Sequence, residues 1–183
     1  MRNKCKNSSE EPLIIFLIFG WILNDFKFKT EKKLNFFSSK EQFINWFFTH
    51  PDHRWILSDR YIQANILDFF DTFPLKKINK IYETQEVTLH PSSGMFACSV
   101  QNSSKSVIIV FPELKKFLGA PFPGWAHAVL AHEFGHLYHE HGKKWIDPLE
   151  AQVEADSFAI ELGHMEQLAN FLEERIARKK PFV

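Results

Sequence analysis

Cysteine is scarce. Two residues, Cys5 and Cys98, in a chain of 183 cannot build a disulfide framework, and no Cys-x-x-Cys pair is present to form a zinc knuckle. Charge of one sign is missing too. Lys and Arg number 22 and Asp and Glu number 22, so no long-range field draws the chain to nucleic acid or to an anionic membrane. The cationic tail Arg175-Ile-Ala-Arg-Lys-Lys180 suits the end of a helix, and no direct nucleic-acid binding is expected. There is no internal repeat and no low-complexity stretch, and no apolar run reaches the roughly 20 residues of a bilayer-spanning helix. The run Leu13 to Leu23 has eleven residues, follows Glu10-Glu11-Pro12 and shows no small-residue cleavage site after it. Two readings stay open for it. A helix packed on the core or on a partner, in a cytoplasmic protein, is favoured over a membrane-associated or targeting segment.

Apolar material is plentiful. Hydrophobic residues make up 45% of the chain and Phe occurs 20 times, which supplies a packed core and excludes wholesale disorder. Histidine is the anomaly, because five of the nine fall between His127 and His141.

From Ser39 to Phe73 apolar residues recur at helical spacing, first Phe43, Ile44, Phe47 and Phe48, then Ile62, Ile66, Leu67 and Phe70. Thr49-His50-Pro51-Asp52 breaks the pattern. Ser58 is expected to cap the second helix, which should stop before Pro74. Met95 to Val100 and Val107 to Phe111 are β-favouring runs around a polar loop, which predicts an antiparallel hairpin. A turn-rich entry, Pro121 to Trp125, then leads into a helix expected to run through His141 and to stop at Gly142. Another helix opens at Asp147-Pro148-Leu149-Glu150, with Asp147 as N-cap, Pro148 at the first helical position and Glu150 in a capping box. Ala151, Ala155, Phe158, Ala159 and Leu162 share one face of it, and it is expected to continue into Phe171-Leu172. The chain divides into an apolar segment and linker (1–38) and one α+β domain (39–183), with a helical part over 39–80 and a catalytic part over 85–183.

Within the long helix stands His132-Glu133-Phe134-Gly135-His136. Histidines four apart project from one face, a turn from each other, which suits two ligands of a tetrahedral Zn²⁺. Glu133 lies about 100° around the axis, where its carboxylate can take a proton from water activated by the metal and pass it to a leaving amine. This is the physical content of His-Glu-x-x-His in zinc peptidases. A metzincin needs a third histidine ten residues after His132, and that position is Gly142. His139 and His141 are expected at the surface or behind the ligands rather than on the metal.

His132-Glu-Phe-Gly-His136-Leu-Tyr-His-Glu-His141, followed by Glu154-Ala155-Asp156-Ser-Phe158-Ala159, resembles the ImmA/IrrE family of small gluzincin metallopeptidases. More distantly it is similar to Oma1 and CAAX-prenyl-protease peptidases. The resemblance spans Trp125 to Leu162. It implies a minimal zincin-like fold: a small antiparallel sheet or hairpin packed on the His-Glu-x-x-His helix and on a following ligand helix, with a helical region before them. It implies an endopeptidase using Zn²⁺, a protein or peptide substrate that includes regulatory proteins, and an edge strand, Met95–Val100 or Val107–Phe111, to receive an extended peptide. His132 and His136 would be ligands and Glu133 the general base. Asp156 would orient a ligand histidine. The family's third ligand, a Glu, falls on Gln152 here, an uncharged amide and a poor zinc ligand. Glu154, Glu150 and His139 remain alternatives for that place, as does no third protein ligand. His164, His139 and Tyr138 are candidates to stabilise an oxyanion. The departure at Gln152 also keeps a second function open, a catalytically weakened protein that regulates by binding other proteins.

Overall fold

The computed structural model describes residues 36–93, 97–101, 104–170 and 173. Leu13–Leu23, Cys5, Met95, Phe171-Leu172 and the cationic tail lie outside the described residues. Helix α1 (Lys40–Thr49) starts where the Ser39 hydroxyl accepts the Gln42 N–H, and it buries Phe43 and Phe47. A 3₁₀ turn (Pro51–His53) and the short helix α2 (Arg54–Leu57) lead into α3 (Arg60–Asp71). The cap of α3 is Asp59, not Ser58. The Asp59 carboxylate accepts the Tyr61 and Ile62 N–H groups, while the Ser58 hydroxyl bonds back to Trp55 O and closes α2. Helix α4 (Leu75–Thr84) buries Ile78, Ile81 and Tyr82.

Three strands follow: β1 (Glu86–Pro91), β2 (Ala97–Gln101) and β3 (Lys105–Val110). The expected hairpin is present as β2 antiparallel to β3, with Cys98 opposite Ile109. The sheet is nonetheless mixed rather than antiparallel, because β1 pairs parallel with β3 in the order β1-β3-β2. β1 carries few β-formers and ends in Pro91, which has no N–H to give and is tolerated on an outer strand. Val87, Leu89, Ile108 and Val110 are buried.

After α5 (Pro112–Leu118), helix α6 (Gly124–Tyr138) crosses the molecule with most of its residues buried. Phe134 anchors it, with ring centroids 5.8, 5.7 and 5.4 Å from those of Phe69, Phe70 and Phe73. The opposite face, about 200° away, carries His132. The helix ends at Tyr138 instead of His141, because Glu140 adopts a left-handed conformation (φ 56°) and turns the chain back through a 3₁₀ turn, His141–Lys143. Gly142 therefore does not stop the helix. It is required by a close approach: a Cβ there would lie 2.6 Å from Gln101 Cβ.

Helix α7 (Pro148–Glu161) is capped by Asp147, whose carboxylate accepts the Leu149 and Glu150 N–H groups. It stops well short of 171, since Gly163 breaks the helix at φ 92° before helical structure resumes over 165–170. α7 packs tightly on α6 at Gly135, where a Cβ would meet Ala155 Cα at 2.8 Å and Ala155 O at 2.9 Å. The molecule is thus mixed α+β. Among the described residues no helix is long and apolar enough to cross a membrane.

Candidate metal centre

The i, i+4 spacing on α6 brings the His132 and His136 rings to a centroid separation of 4.7 Å at 84°, with their Nε2 atoms 3.1 Å apart. Each ring is held from behind by its Nδ1. His132 Nδ1 lies 2.7 Å from Asp156 Oδ1 on α7. His136 Nδ1 lies 2.7 Å from His141 Nδ1, and His141 Nε2 in turn lies 2.7 Å from Glu154 Oε2. A chain of contacts therefore runs Asp156–His132–His136–His141–Glu154.

Ionised carboxylates only accept, so each end of this chain calls for an N–H, and the hydrogens between them depend on the tautomers of the rings. With the three rings neutral, His132 donates Nδ1–H to Asp156 and His141 donates Nε2–H to Glu154. His141 Nδ1 is then a bare acceptor, which takes the Nδ1–H of His136. In that arrangement the two facing Nε2 atoms, 3.1 Å apart, both carry lone pairs. Two lone pairs so placed can share a cation. Zn–N bonds of 2.0–2.1 Å at a tetrahedral angle set two nitrogens about 3.3 Å apart, close to the separation seen. The donor set and its spacing fit a zinc ion.

Burial reinforces this. It pushes the His136 imidazole down to about 4, helped by repulsion from His132 and His141, so this ring is neutral and available as a ligand at physiological pH. Glu133 is buried between α6 and the edge strand β2, and burial raises its carboxyl above the ordinary range. His132 and hydrogen bonds from the Ser99 hydroxyl and backbone N–H pull it partly back. A carboxylate of raised basicity beside two facing imidazoles is suited to proton transfer. The Cys98 thiol is pushed up by its own burial and then by Glu133.

The two third-ligand candidates part company. Gln152 points at the pair with its amide nitrogen, Nε2, 3.4 Å from His136 Nε2, and it is exposed, so the amide has room to turn over and present its carbonyl oxygen. Glu154 does not approach that pair. Lying about 200° around α7 from Gln152, it engages His141, His139 (3.6 Å) and Lys144 (3.8 Å) instead. Its carboxyl is held low, first by the His141 hydrogen bond. Glu150 sits in the first turn of α7, its N–H on Asp147.

The oxyanion candidates also separate. His164 stacks on Phe69 and meets the His127 ring edge-on, in the core, while Tyr138 packs on Phe158 under the Lys77 and Lys80 ammonium groups. Neither is in contact with the His132–His136 pair.

Two glutamines that spacing alone did not single out secure the end of α6. The Gln101 amide donates to His136 O at 2.8 Å and accepts the Gly142 N–H at 2.8 Å, tying β2 to the turn that carries His141. The buried Gln85 donates to Leu137 O and accepts from the Ser106 hydroxyl. The sequence signal for Gln101 is its place at the end of a β-favouring run, and Gln85 has none. Comparisons of the chain with models of protein families, with curated proteins and with solved structures return no match.

Proposed function

We propose that the protein is a zinc-dependent endopeptidase. The observation that carries this reading is the pair of His132 and His136 Nε2 atoms facing each other at 3.1 Å beside the buried side chain of Glu133. His132, His136 and, with the amide turned over, the Gln152 carbonyl oxygen would hold the ion. When bound, zinc supplies Lewis acidity, making water more acidic and a peptide carbonyl more electrophilic. The protein's own part falls to Glu133, which accepts the proton of the attacking water and delivers it to the departing amine. Ser99 holds that carboxylate in place from β2. Asp156 and His141 fix the rings so that Nε2, not Nδ1, faces the reacting centre.

A protein substrate is favoured by the strand above the helix. Among the described residues β2 pairs only with β3, so its other edge can receive an extended chain through the main-chain groups that Glu133 does not take up at Ser99. Exposed apolar residues stand on the same two elements, Val100 on β2 and Leu149 and Val153 on α7.

The test is metal analysis of the purified protein with cleavage of a quenched fluorescent casein as a generic substrate. About one equivalent of zinc is expected, and Glu133→Gln should keep the zinc while lowering cleavage by roughly 10²–10⁴-fold. Gln152 motivates a second reading, a regulatory protein-binding module with a weak metal site. Zinc absent from the native chain but bound by Gln152→Glu, with no cleavage by either, would establish that reading instead.

A further inference from the structure

Behind His136 the chain assembles a second set of donors that the proposed reaction does not use as ligands. His139, His141 and Glu154 each offer one ligand atom, and these atoms lie within 4.8 Å of one another. Glu154 Oε2 is 2.7 Å from His141 Nε2 and 3.6 Å from His139 Nδ1. The two imidazole rings lie nearly parallel, at 16°. Two histidines and a carboxylate are the ligand types of a zinc site.

We propose that His139, His141 and Glu154 form a second, weaker divalent-cation site that opposes metal binding at His132 and His136. The antagonism comes from the 2.7 Å contact between the Nδ1 atoms of His136 and His141. A cation on His141 Nε2 takes the place of the hydrogen given to Glu154, and a neutral His141 must then carry its hydrogen on Nδ1. His136 with a metal on Nε2 carries its hydrogen on Nδ1 as well. Two N–H groups would point at each other where only one hydrogen fits. The contact is satisfied when one site is filled and violated when both are. With the second site filled, His141 donates to His136 Nδ1, and His136 keeps its own hydrogen on Nε2, pointing at His132 instead of at a metal.

Charge sets the order of filling. Lys144 lies 3.8 Å from Glu154, and the Lys80 ammonium acts on His139, so two cations oppose a third at the second site. At the first site the nearby charges are the carboxylates of Asp156 and Glu133. The first site therefore fills first and the second responds to excess metal.

The inference rests on the zinc reading of His132 and His136, and calorimetry with zinc added stepwise to the full chain separates the two. Two events are expected, the second weaker. His139→Ala should abolish the second and keep the first. His132→Ala should abolish the first and tighten the second by roughly tenfold or more, the opposition between N–H groups being removed. A single event that survives His139→Ala overturns the second site and leaves the peptidase reading standing. A single event lost in His139→Ala and indifferent to His132→Ala overturns the reading of His132 and His136, and the antagonism with it. Two events with no tightening in His132→Ala overturn the antagonism alone. Should His132→Ala not fold, as read by circular dichroism, His132→Gln gives the same comparison.

Discussion

The crossing of α6 and α7 at Gly135 makes a quantitative prediction about the substitution Gly135→Ala. Its new Cβ would stand 2.8 Å from Ala155 Cα, 2.9 Å from Ala155 O and 3.1 Å from Phe158 Cβ. Carbon atoms in ordinary contact sit about 3.5–4.0 Å apart, so the two helices must part by roughly 1 Å. Overpacking of this kind costs about 1–3 kcal/mol, which for a chain of this size lowers Tm by roughly 2–12 °C. The site should suffer as well, since the 2.7 Å contact of Asp156 with His132 bridges the same two helices. Losing such an orienting partner lowers metal affinity roughly 10–100-fold. Thermal unfolding with and without zinc, together with competition for zinc against a chelating dye, measures both effects. Two controls sharpen the test. Gly119→Ala should be silent, its Cβ meeting only atoms at 3.7 Å. Gly135→Ala combined with Ala155→Gly should stay destabilised, because two of the close contacts are to Ala155 backbone, which that truncation leaves in place. Unchanged Tm and zinc affinity in Gly135→Ala would refute the close-crossing account.

Asp156→Ala should weaken zinc binding roughly 10–100-fold while leaving the fold intact, and Asp156→Asn, which keeps an acceptor for His132 Nδ1–H, should fall between; competition with a chelator reads both. The fully buried His53 bonds through Nδ1 to Phe47 O and accepts the Leu89 N–H at Nε2, and burial first of all lowers its imidazole to about 4. Its folded value lies below the ordinary value near 6.5, so the unfolded chain binds the proton more readily. The neutral ring's contribution is present above about 6.5 and is lost as pH falls towards 4. Between pH 7 and 5 that loss is about 2 kcal/mol, and urea unfolding of His53→Gln should show a correspondingly shallower decline than the native chain.

Several features of this molecule can be read from residue patterns, and the physics says which. The faces of α1 and α3 follow from Phe43, Phe47, Ile62, Ile66 and Phe70, because burial along a helix is local in sequence. Asp147 and Pro148 mark the start of α7 for the same reason. The convergence of His132 and His136 is contained in their spacing, and the approach of Gln152 and Asp156 follows once α7 packs along α6. What fails is what depends on distant partners. β1 becomes a strand only because β3 lies beside it, and Glu86-Val-Thr-Leu-His-Pro91 has little intrinsic preference to announce that. Helix α6 ends before the expected stop at Gly142 because Glu140, not a glycine, takes the left-handed position. His141, placed by sequence at the surface or behind the ligands, lies directly behind His136 for that reason. A Leu67 with the right periodicity is 39% exposed because α3 presents Phe69 to the core in its place.

The reversal at Glu140 has a consequence for how such sites vary. Only two residues separate the last helical position, Tyr138, from His141, and their conformation brings His141 to the back of His136. Inserting a single amino acid there would leave the His-Glu-x-x-His signature untouched while withdrawing that support. Loop length just past the signature is then as much a part of the site's specification as the signature itself. Chains alike in every signature letter can differ in how firmly they grip an ion.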